Sequence, residues 1–101
     1  MLVLEKNQER RALYTDVDYN GHVNNVSYIR WIEDAVDPAL LEQARQMRLD
    51  INFMNEILPD EVTGIWSAQI EESAALHAFA FEGRKSQENH VAFRAELRLW
   101  N

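Results

Sequence analysis

The sequence predicts an α+β fold in which a helix packs against an antiparallel sheet. Its apolar pattern changes along the chain from one strand to a helical stretch and then to four strands. The 101 residues are enough for one domain, and 47% of them are apolar. A helix with one apolar face needs a second layer to cover it. We therefore predict one domain over residues 1–101, with the helix against the sheet.

The predicted helices lie in the first half of the chain. Alternation over 10–14 indicates a short first strand, and a polar stretch rich in turn-forming residues follows over 15–25. From Val26 onward, apolar residues recur at helical spacing, namely Tyr28, Ile29, Ile32, Ala35 and Val36. Asp37-Pro38 predicts a new helix over 39–47, because Asp caps helices and Pro is tolerated in their first turn.

The rest of the chain has the period of two that is typical of strands. The predicted strands are 49–53, 62–71, 76–82 and 91–100, with connections of hairpin length and a polar loop over 83–89. We expect Trp66, Ala68 and Ile70 to share one face, and Phe79 and Phe81 another. The last strand is the clearest, since Val91, Phe93, Ala95, Leu97 and Leu99 alternate with other residues.

Composition excludes several classes of function. The net charge of −7 argues against a nucleic-acid partner, because binding phosphates needs a basic surface. No apolar run approaches the ~20 residues of a membrane span, and residues 1–9 lack the features of a signal peptide. There is no cysteine, and the three histidines lack metal-ligand spacing. We expect a cytoplasmic protein without a metal site and without a membrane partner.

Residues 16–28 concentrate polar groups. Two carboxylates, one histidine and three asparagines fall within ten positions, Gly21 allows a tight turn, and a helix begins directly afterwards. Backbone N–H groups at a helix start, together with the helix dipole, favour negative charge. Such donors stabilise a carbonyl under attack by ~3 kcal/mol each. An ordinary helix cap has the same composition, so the residues alone leave both interpretations open.

The run Asp18–Ile32, DYNGHVNNVSYIRWI, resembles the Asp-x-Asn-x-His-Val-Asn-Asn-x-x-Tyr-Ile-x-Trp-Ile signature of the acyl-ACP thioesterases. Shorter versions occur across the hot-dog thioesterases, including the 4-hydroxybenzoyl-CoA thioesterase type. A looser match, INFMNEI over 51–57, aligns Glu56 with the catalytic glutamate of the family. The resemblance implies a hot-dog fold, an antiparallel sheet wrapped around a central helix, and hydrolysis of acyl-ACP to release a fatty acid.

The resemblance also implies roles for four catalytic residues. Asp18 and Glu56 would hold and activate a water for attack on the thioester carbon, one of them as general base. Asn20 and His22 would orient the water, the carboxylates or the thioester carbonyl. No metal, nucleotide or flavin is needed. Ile57 stands where the family has a cysteine, so a covalent cysteine route is excluded.

An oxyanion site and a partner domain are implied as well. The backbone N–H groups around Asn24, Asn25 and Val26 would bind the oxyanion. Acyl-ACP thioesterases carry two hot-dog domains, and the resemblance is to the second only, so the chain is either a natural short protein or a fragment. Because hot-dog domains work in pairs, we expect a homodimer or pairing with a second hot-dog domain.

An acidic carrier protein would need a local basic patch. The candidate residues are Arg10 with Arg11, Arg84 with Lys85, and Arg94 with Arg98. Two alternatives remain open. One is a single-domain acyl-CoA thioesterase, which would use Asp18 without Asn20 and Glu56. The other is a non-catalytic hot-dog module that binds acyl groups or only dimerises.

Overall fold

The computed structural model describes residues 2–87 and 90–101. Over these residues the elements follow the predicted order of one strand, two helices and four strands. They are β1 (Glu5–Arg11), α1 (Asn25–Asp34), α2 (Pro38–Gln43), β2 (Gln46–Phe53), β3 (Val62–Glu72), β4 (Leu76–Lys85) and β5 (Val91–Trp100). A 3-10 turn, Tyr14–Asp16, lies between β1 and α1. None of the helices in this part of the chain has the length and apolarity to cross a membrane.

The five strands form one antiparallel sheet with the order β1-β3-β4-β5-β2. β3, β4 and β5 follow one another as hairpins, as predicted. β2, however, pairs with β5, from Gln46 opposite Trp100 to Phe53 opposite Phe93. The period-two pattern identifies a strand and its inner face but not its neighbour. Residues 54–61 therefore connect β2, at one edge of the sheet, to β3 near the opposite edge.

The core lies between α1 and the sheet, which confirms the predicted α+β arrangement. The buried face of α1 and the residue Val36 after it pack against inward-facing side chains of β3, β4 and β5. The apolar members of this contact are Tyr28, Trp31, Ile32, Val36, Ile65, Phe81, Phe93, Leu97 and Leu99. The inward face of β5 was predicted correctly, with Phe93, Leu97 and Leu99 fully buried.

Several predicted boundaries were wrong. The first strand is Glu5–Arg11 and not 10–14, because β1 is an edge strand held by backbone pairing with β3, and its mostly exposed side chains carry no apolar alternation. Tyr14, expected in that strand, lies in the 3-10 turn. The second helix ends at Gln43 and not at Met47, because Gln46 and Met47 already pair with β5.

The alternation in β3 predicted a shared face for Trp66, Ala68 and Ile70 but not which face of the strand is the inner one. Thr63 and Ile65 are buried, whereas Trp66 is only partly buried and Ile70 is exposed. Trp66 contacts the guanidinium of Arg84, whose carbon lies 4.1 Å from the ring centroid. That stacking covers an aromatic ring outside the core.

The loop predicted over 83–89 starts later than expected. β4 continues to Lys85, because its last residues still pair with β3 and β5. Residues 88 and 89 of that predicted loop lie outside the described residues, as does Met1 of the predicted domain.

Candidate active site

Asp16 fixes the polar segment before α1. Its Oδ1 accepts a hydrogen bond from the Ser27 hydroxyl (2.7 Å), and its Oδ2 accepts one from the Leu13 N–H (2.9 Å). Its carbonyl oxygen accepts from the Asn24 N–H at 2.9 Å. Asp16 therefore joins the 3-10 turn to the first turn of α1. The sequence alone does not reveal this role of Asp16.

A tight turn over 18–22 presents Asp18 and His22. The Asp18 N–H donates to the His22 carbonyl (3.0 Å), and the Gly21 N–H donates to the Asp18 carbonyl (3.1 Å). Gly21 has φ of +82°, a conformation that favours glycine. The Asn20 N–H donates to Asp18 Oδ1 at 2.9 Å, so one carboxylate oxygen of Asp18 already supports the turn.

A backbone hydrogen bond brings the second predicted segment to this turn. The Val23 N–H donates to the Ile57 carbonyl at 2.9 Å. As a result, Glu56 Oε2 lies 3.5 Å from His22 Nε2, a distance typical of an ion pair when the imidazole is protonated. The Glu56 side chain is 69% exposed and that of His22 is 35% exposed. Both are accessible to a ligand.

Asp18, His22 and Glu56 line one groove of about 280 Å³ between the start of α1 and the end of β2. Its other lining residues are Val23, Asn25, Tyr28, Phe53, Met54 and Asn55. Three of the four predicted catalytic residues are thus brought together from two distant segments. Asn20 is exposed at the tip of the turn and is not among the residues that line this groove.

The three residues predicted for the oxyanion site stand at the start of α1. Asn24 is the N-cap, and its side-chain oxygen accepts from the Ser27 N–H at 3.0 Å. Asn25 and Val26 are the first two residues of the helix, and both are exposed. Their N–H groups precede the first intrahelical bond, as at every helix start. Of the three, Asn25 lines the groove.

Tyr28 also lines the groove, although its spacing in the sequence predicts only a core residue. Burial raises the pKa of its phenol, against a hydrogen bond with the Ile57 backbone that lowers it. The negative charges of Glu56 and Glu61 raise that pKa further. The phenol therefore stays protonated at neutral pH. The one sign in the sequence that Tyr28 belongs to the site is its position as the tyrosine of the quoted signature.

A second groove adjoins the first and shares Asp18. It has a volume of about 670 Å³ and lies between the 3-10 turn and Asp60. The large side chains of Leu13, Tyr14 and Tyr19 line it and are exposed. Asp18 therefore stands between a polar groove and a more apolar one.

The candidate basic patch is largely neutralised by acidic neighbours. Arg10 pairs with Asp34, Arg84 and Arg94 both pair with Glu82, and Arg98 pairs with Glu96. Lys85 is only 7% exposed. Lys85 is thus unavailable to a docking partner, contrary to the sequence-based suggestion. No cluster of three potential metal ligands occurs within residues 2–87 and 90–101.

Comparisons with known proteins agree on one family. The family model of the acyl-ACP thioesterase C-terminal domain matches residues 4–99. The chain is 28% identical over 90 residues to oleoyl-acyl carrier protein thioesterase 1, chloroplastic, of Arabidopsis thaliana, covering 89% of the chain and 24% of that protein. It is 40% identical over 43 residues to the chloroplastic palmitoyl-acyl carrier protein thioesterase of Cuphea hookeriana, covering 43% of the chain and 10% of that protein. The chain thus spans a quarter or less of these curated relatives.

Solved structures share the fold. An acyl-ACP thioesterase from Bacteroides thetaiotaomicron superposes with a TM-score of 0.82 at 23% identity, over 96% of this chain and 37% of that one. A 1,4-dihydroxy-2-naphthoyl-CoA thioesterase from Synechocystis superposes with a TM-score of 0.78 at 14% identity, over 92% and 78%. These matches confirm the predicted hot-dog fold.

Proposed function

The chain belongs to the family of acyl-ACP thioesterase C-terminal domains, and on that basis we propose that it hydrolyses an acyl thioester. The reaction would take place in the groove that Asp18, His22 and Glu56 line. The observation that supports this most strongly is the approach of Glu56 to His22, because it brings together at one groove two predicted catalytic residues that are 34 positions apart in the sequence. The start of α1 lies at the same groove.

In the proposed mechanism, a carboxylate takes a proton from a water molecule while the water oxygen attacks the thioester carbon. Asp18 and Glu56 hold this water together and one of them is the base, so that both carboxylates are required, and His22 orients Glu56 or the water. The negative charge that develops on the carbonyl oxygen is stabilised by backbone N–H groups at the start of α1, near Asn25 and Val26. The tetrahedral intermediate then breaks its C–S bond, and the thiolate that leaves takes up the proton.

Asn20 has a different part in this proposal from the one that the resemblance implies. Its backbone N–H supports Asp18 through a hydrogen bond, and its exposed side chain stands outside the groove. We propose that Asn20 orients Asp18 through the turn. A side chain at the tip of a turn contacts substrate only when the substrate extends over the turn.

Acyl-ACP is the substrate that we propose. The family match over residues 4–99 supports it, as do the carriers named for the plant relatives. The apolar groove beside Asp18 suits an apolar substituent next to the reacting carbon. Acyl-CoA is the alternative carrier. A non-catalytic acyl-binding or dimerisation module is the second alternative.

Pairing with another hot-dog domain belongs to the same proposal. β2 is an edge strand, and apolar side chains at Met47, Phe53 and Met54 are exposed on it or directly after it. Exposed apolar edge strands favour pairing with a further strand. A second copy of the chain, or a second hot-dog domain, would cover them. The cytoplasmic location, the lack of nucleic-acid and membrane partners and the one-domain organisation over 1–101 stay predictions.

The carrier and the role of Glu56 are tested in one experiment. Hydrolysis of acyl-ACP and of acyl-CoA is measured side by side for the wild-type chain, for Glu56→Gln and for Glu72→Gln as an exposed control outside the groove. We expect acyl-ACP hydrolysis to fall by about 100-fold in Glu56→Gln, because a general acid–base residue contributes 10²- to 10⁴-fold, and to be unchanged in Glu72→Gln.

Other outcomes favour the alternatives. Hydrolysis of acyl-CoA that tolerates Glu56→Gln would favour the single-domain acyl-CoA type. A folded wild-type chain that hydrolyses neither substrate would leave the non-catalytic module.

A further inference from the structure

Residues 54–61 carry Glu56, and backbone contacts hold most of this segment in place. The N–H groups of Met54 and Asn55 both donate to the Ala92 carbonyl, at 2.8 and 3.1 Å, and the Asn55 side chain donates to the Val91 carbonyl at 2.7 Å. The Ile57 carbonyl accepts from Val23. Glu56 lies between these two anchors, with a side chain that little packing restrains.

An ion pair between buried Lys85 and partly buried Glu61 provides the contact at Glu56 itself. The Lys85 side chain, at the end of β4, is 8% exposed, and its Nζ donates to the Glu56 carbonyl at 3.2 Å. The same Nζ lies 3.1 Å from Glu61 Oε2. Glu61 Oε1 in turn accepts from the Leu58 N–H at 2.7 Å. Lys85 and Glu61 thus hold the segment on both sides of Ile57.

The location of this ion pair under Glu56 explains it better than a contribution to folding stability does. Removing two charges from water costs free energy that their attraction does not always recover, so buried pairs are weak sources of stability. An exposed pair, Lys6 with Glu9 on β1, is the contrasting case in this chain. Lys85 and Lys6 are the two lysines of the sequence. One of them is buried under the backbone of a candidate catalytic residue.

We propose that Lys85 is a positioning residue, which together with Glu61 holds the backbone of Glu56 so that its carboxylate faces His22. This inference rests on the proposed hydrolytic function for its effect on rate. Its structural part, the immobilisation of residues 54–58, stands independently. The Glu56 carboxylate has few other contacts, so its direction depends on the backbone that Lys85 holds.

The kinetic test removes both charges of the pair at once. Lys85→Met/Glu61→Leu avoids leaving one charge of this pair buried without the other, as a single substitution would. We expect kcat to fall by about 10- to 100-fold, because a misplacement of ~1 Å at a reacting group has effects of this size. We expect KM to change by less than about threefold, since binding contacts are kept. Lys85→Arg alone, which retains the cation and Glu61, should keep a higher kcat than the double variant.

Two comparisons separate positioning from a general structural effect. Lys6→Met/Glu9→Leu removes the exposed pair in the same way and should leave kcat unchanged. In a Glu56→Gln background, removal of the Lys85 pair should cause no further loss, because both changes act through one carboxylate. An unchanged kcat in the folded double variant, or losses that multiply fully in the Glu56→Gln background, would overturn the proposal.

Hydrogen exchange gives a readout that does not depend on activity. Backbone amides of 54–57 should exchange at least about tenfold faster in Lys85→Met/Glu61→Leu than in wild type, while amides of α1 and β5 keep their protection. The Leu58 amide is left out of this comparison because Glu61→Leu removes its hydrogen-bond acceptor. If the wild-type chain hydrolyses nothing, the proposed function fails, and the exchange result still decides whether Lys85 holds Glu56. Unchanged exchange at 54–57 would refute the role of Lys85.

Discussion

At the scale of single residues, two aspartates of one short segment make different contacts. Asp16 is partly buried and accepts three hydrogen bonds that fix the start of α1. Asp18, two positions later, is exposed in the groove. Its Oδ1 accepts from the Asn20 N–H, and its Oδ2 is not used in that contact. Composition alone marks both as equal candidates. Only the contacts distinguish the structural aspartate from the candidate base.

Glu82 shows how a single charge contributes to folding stability on the face of the sheet opposite the core. Burial would raise the pKa of its carboxyl, but hydrogen bonds from Arg84 (2.7 Å) and Arg94 (3.0 Å) outweigh burial and lower that pKa. A group whose pKa is lower in the folded state stabilises the fold above its unfolded pKa, about 4.3 for glutamate. That contribution is lost as the pH falls through the lower, folded value.

We therefore predict that Glu82→Gln lowers the free energy of unfolding by about 1 kcal/mol at pH 7, since both arginines are partly solvated. The difference from wild type should shrink as the pH falls below about 4.3. Urea unfolding at pH 7 and in steps below pH 5 measures it, with Glu72→Gln as an exposed control. A difference that is constant across this range would contradict the assigned ion pairs.

At the scale of elements, the close packing of β4 against β5 depends on a residue without a side chain. Gly83 is buried opposite Phe93, and a Cβ atom built on it would lie 2.2 Å from Phe93 Cε2. Phe93 is itself fully buried and contacts Tyr28 of the groove, with ring centroids 5.3 Å apart. The absence of a side chain at Gly83 thus leaves room for the Phe93 ring, which packs against Tyr28.

Gly83→Ala should destabilise the fold by about 1–3 kcal/mol, because the ring has to move within a filled core. Gly64→Ala is the matched control on β3, since its new Cβ would meet only Trp66 Nε1, at 3.1 Å, and the Lys6 side chain. Thermal unfolding of both variants measures the difference. Equal and small effects would show that the core around Phe93 is looser than described.

The elements also show what the sequence can predict. α1 and β5 were predicted well because their inner faces are strongly apolar and follow one period, as with Tyr28 and Ile32 or Phe93 and Leu97. β1 was misplaced because an edge strand is held by backbone hydrogen bonds, which leave no apolar pattern in EKNQERR. The partner of β2 and the burial of Lys85 depend on contacts between distant segments, which periodicity does not contain.

The candidate site, too, was predictable only where a local sequence pattern marks its residues. Asp18 and His22 were found because they belong to one contiguous motif, and Glu56 because a family pattern aligned it. Asp16 and Lys85 contact the site through hydrogen bonds that the motif does not record, and the burial of Tyr28 beside the groove is not visible from its place in the motif.

At the scale of the whole molecule, the groove lies where four parts of the fold meet. The turn over 18–22, the start of α1, the end of β2 and the segment 54–61 each contribute to it. β2 is also an edge of the sheet. A partner domain paired along β2 would therefore lie beside the groove, close to Phe53 and Met54. This geometry connects the proposed pairing with the proposed catalysis.

The measurement that tests the central claim most directly is the hydrolysis rate of an acyl-ACP thioester by the wild-type chain and by Asp18→Asn. The substitution keeps the shape of the side chain and removes its charge. We predict hydrolysis by the wild-type chain and a loss of at least about 100-fold in the folded variant. An equal rate in Asp18→Asn, or no hydrolysis by the folded wild-type chain, would contradict the account.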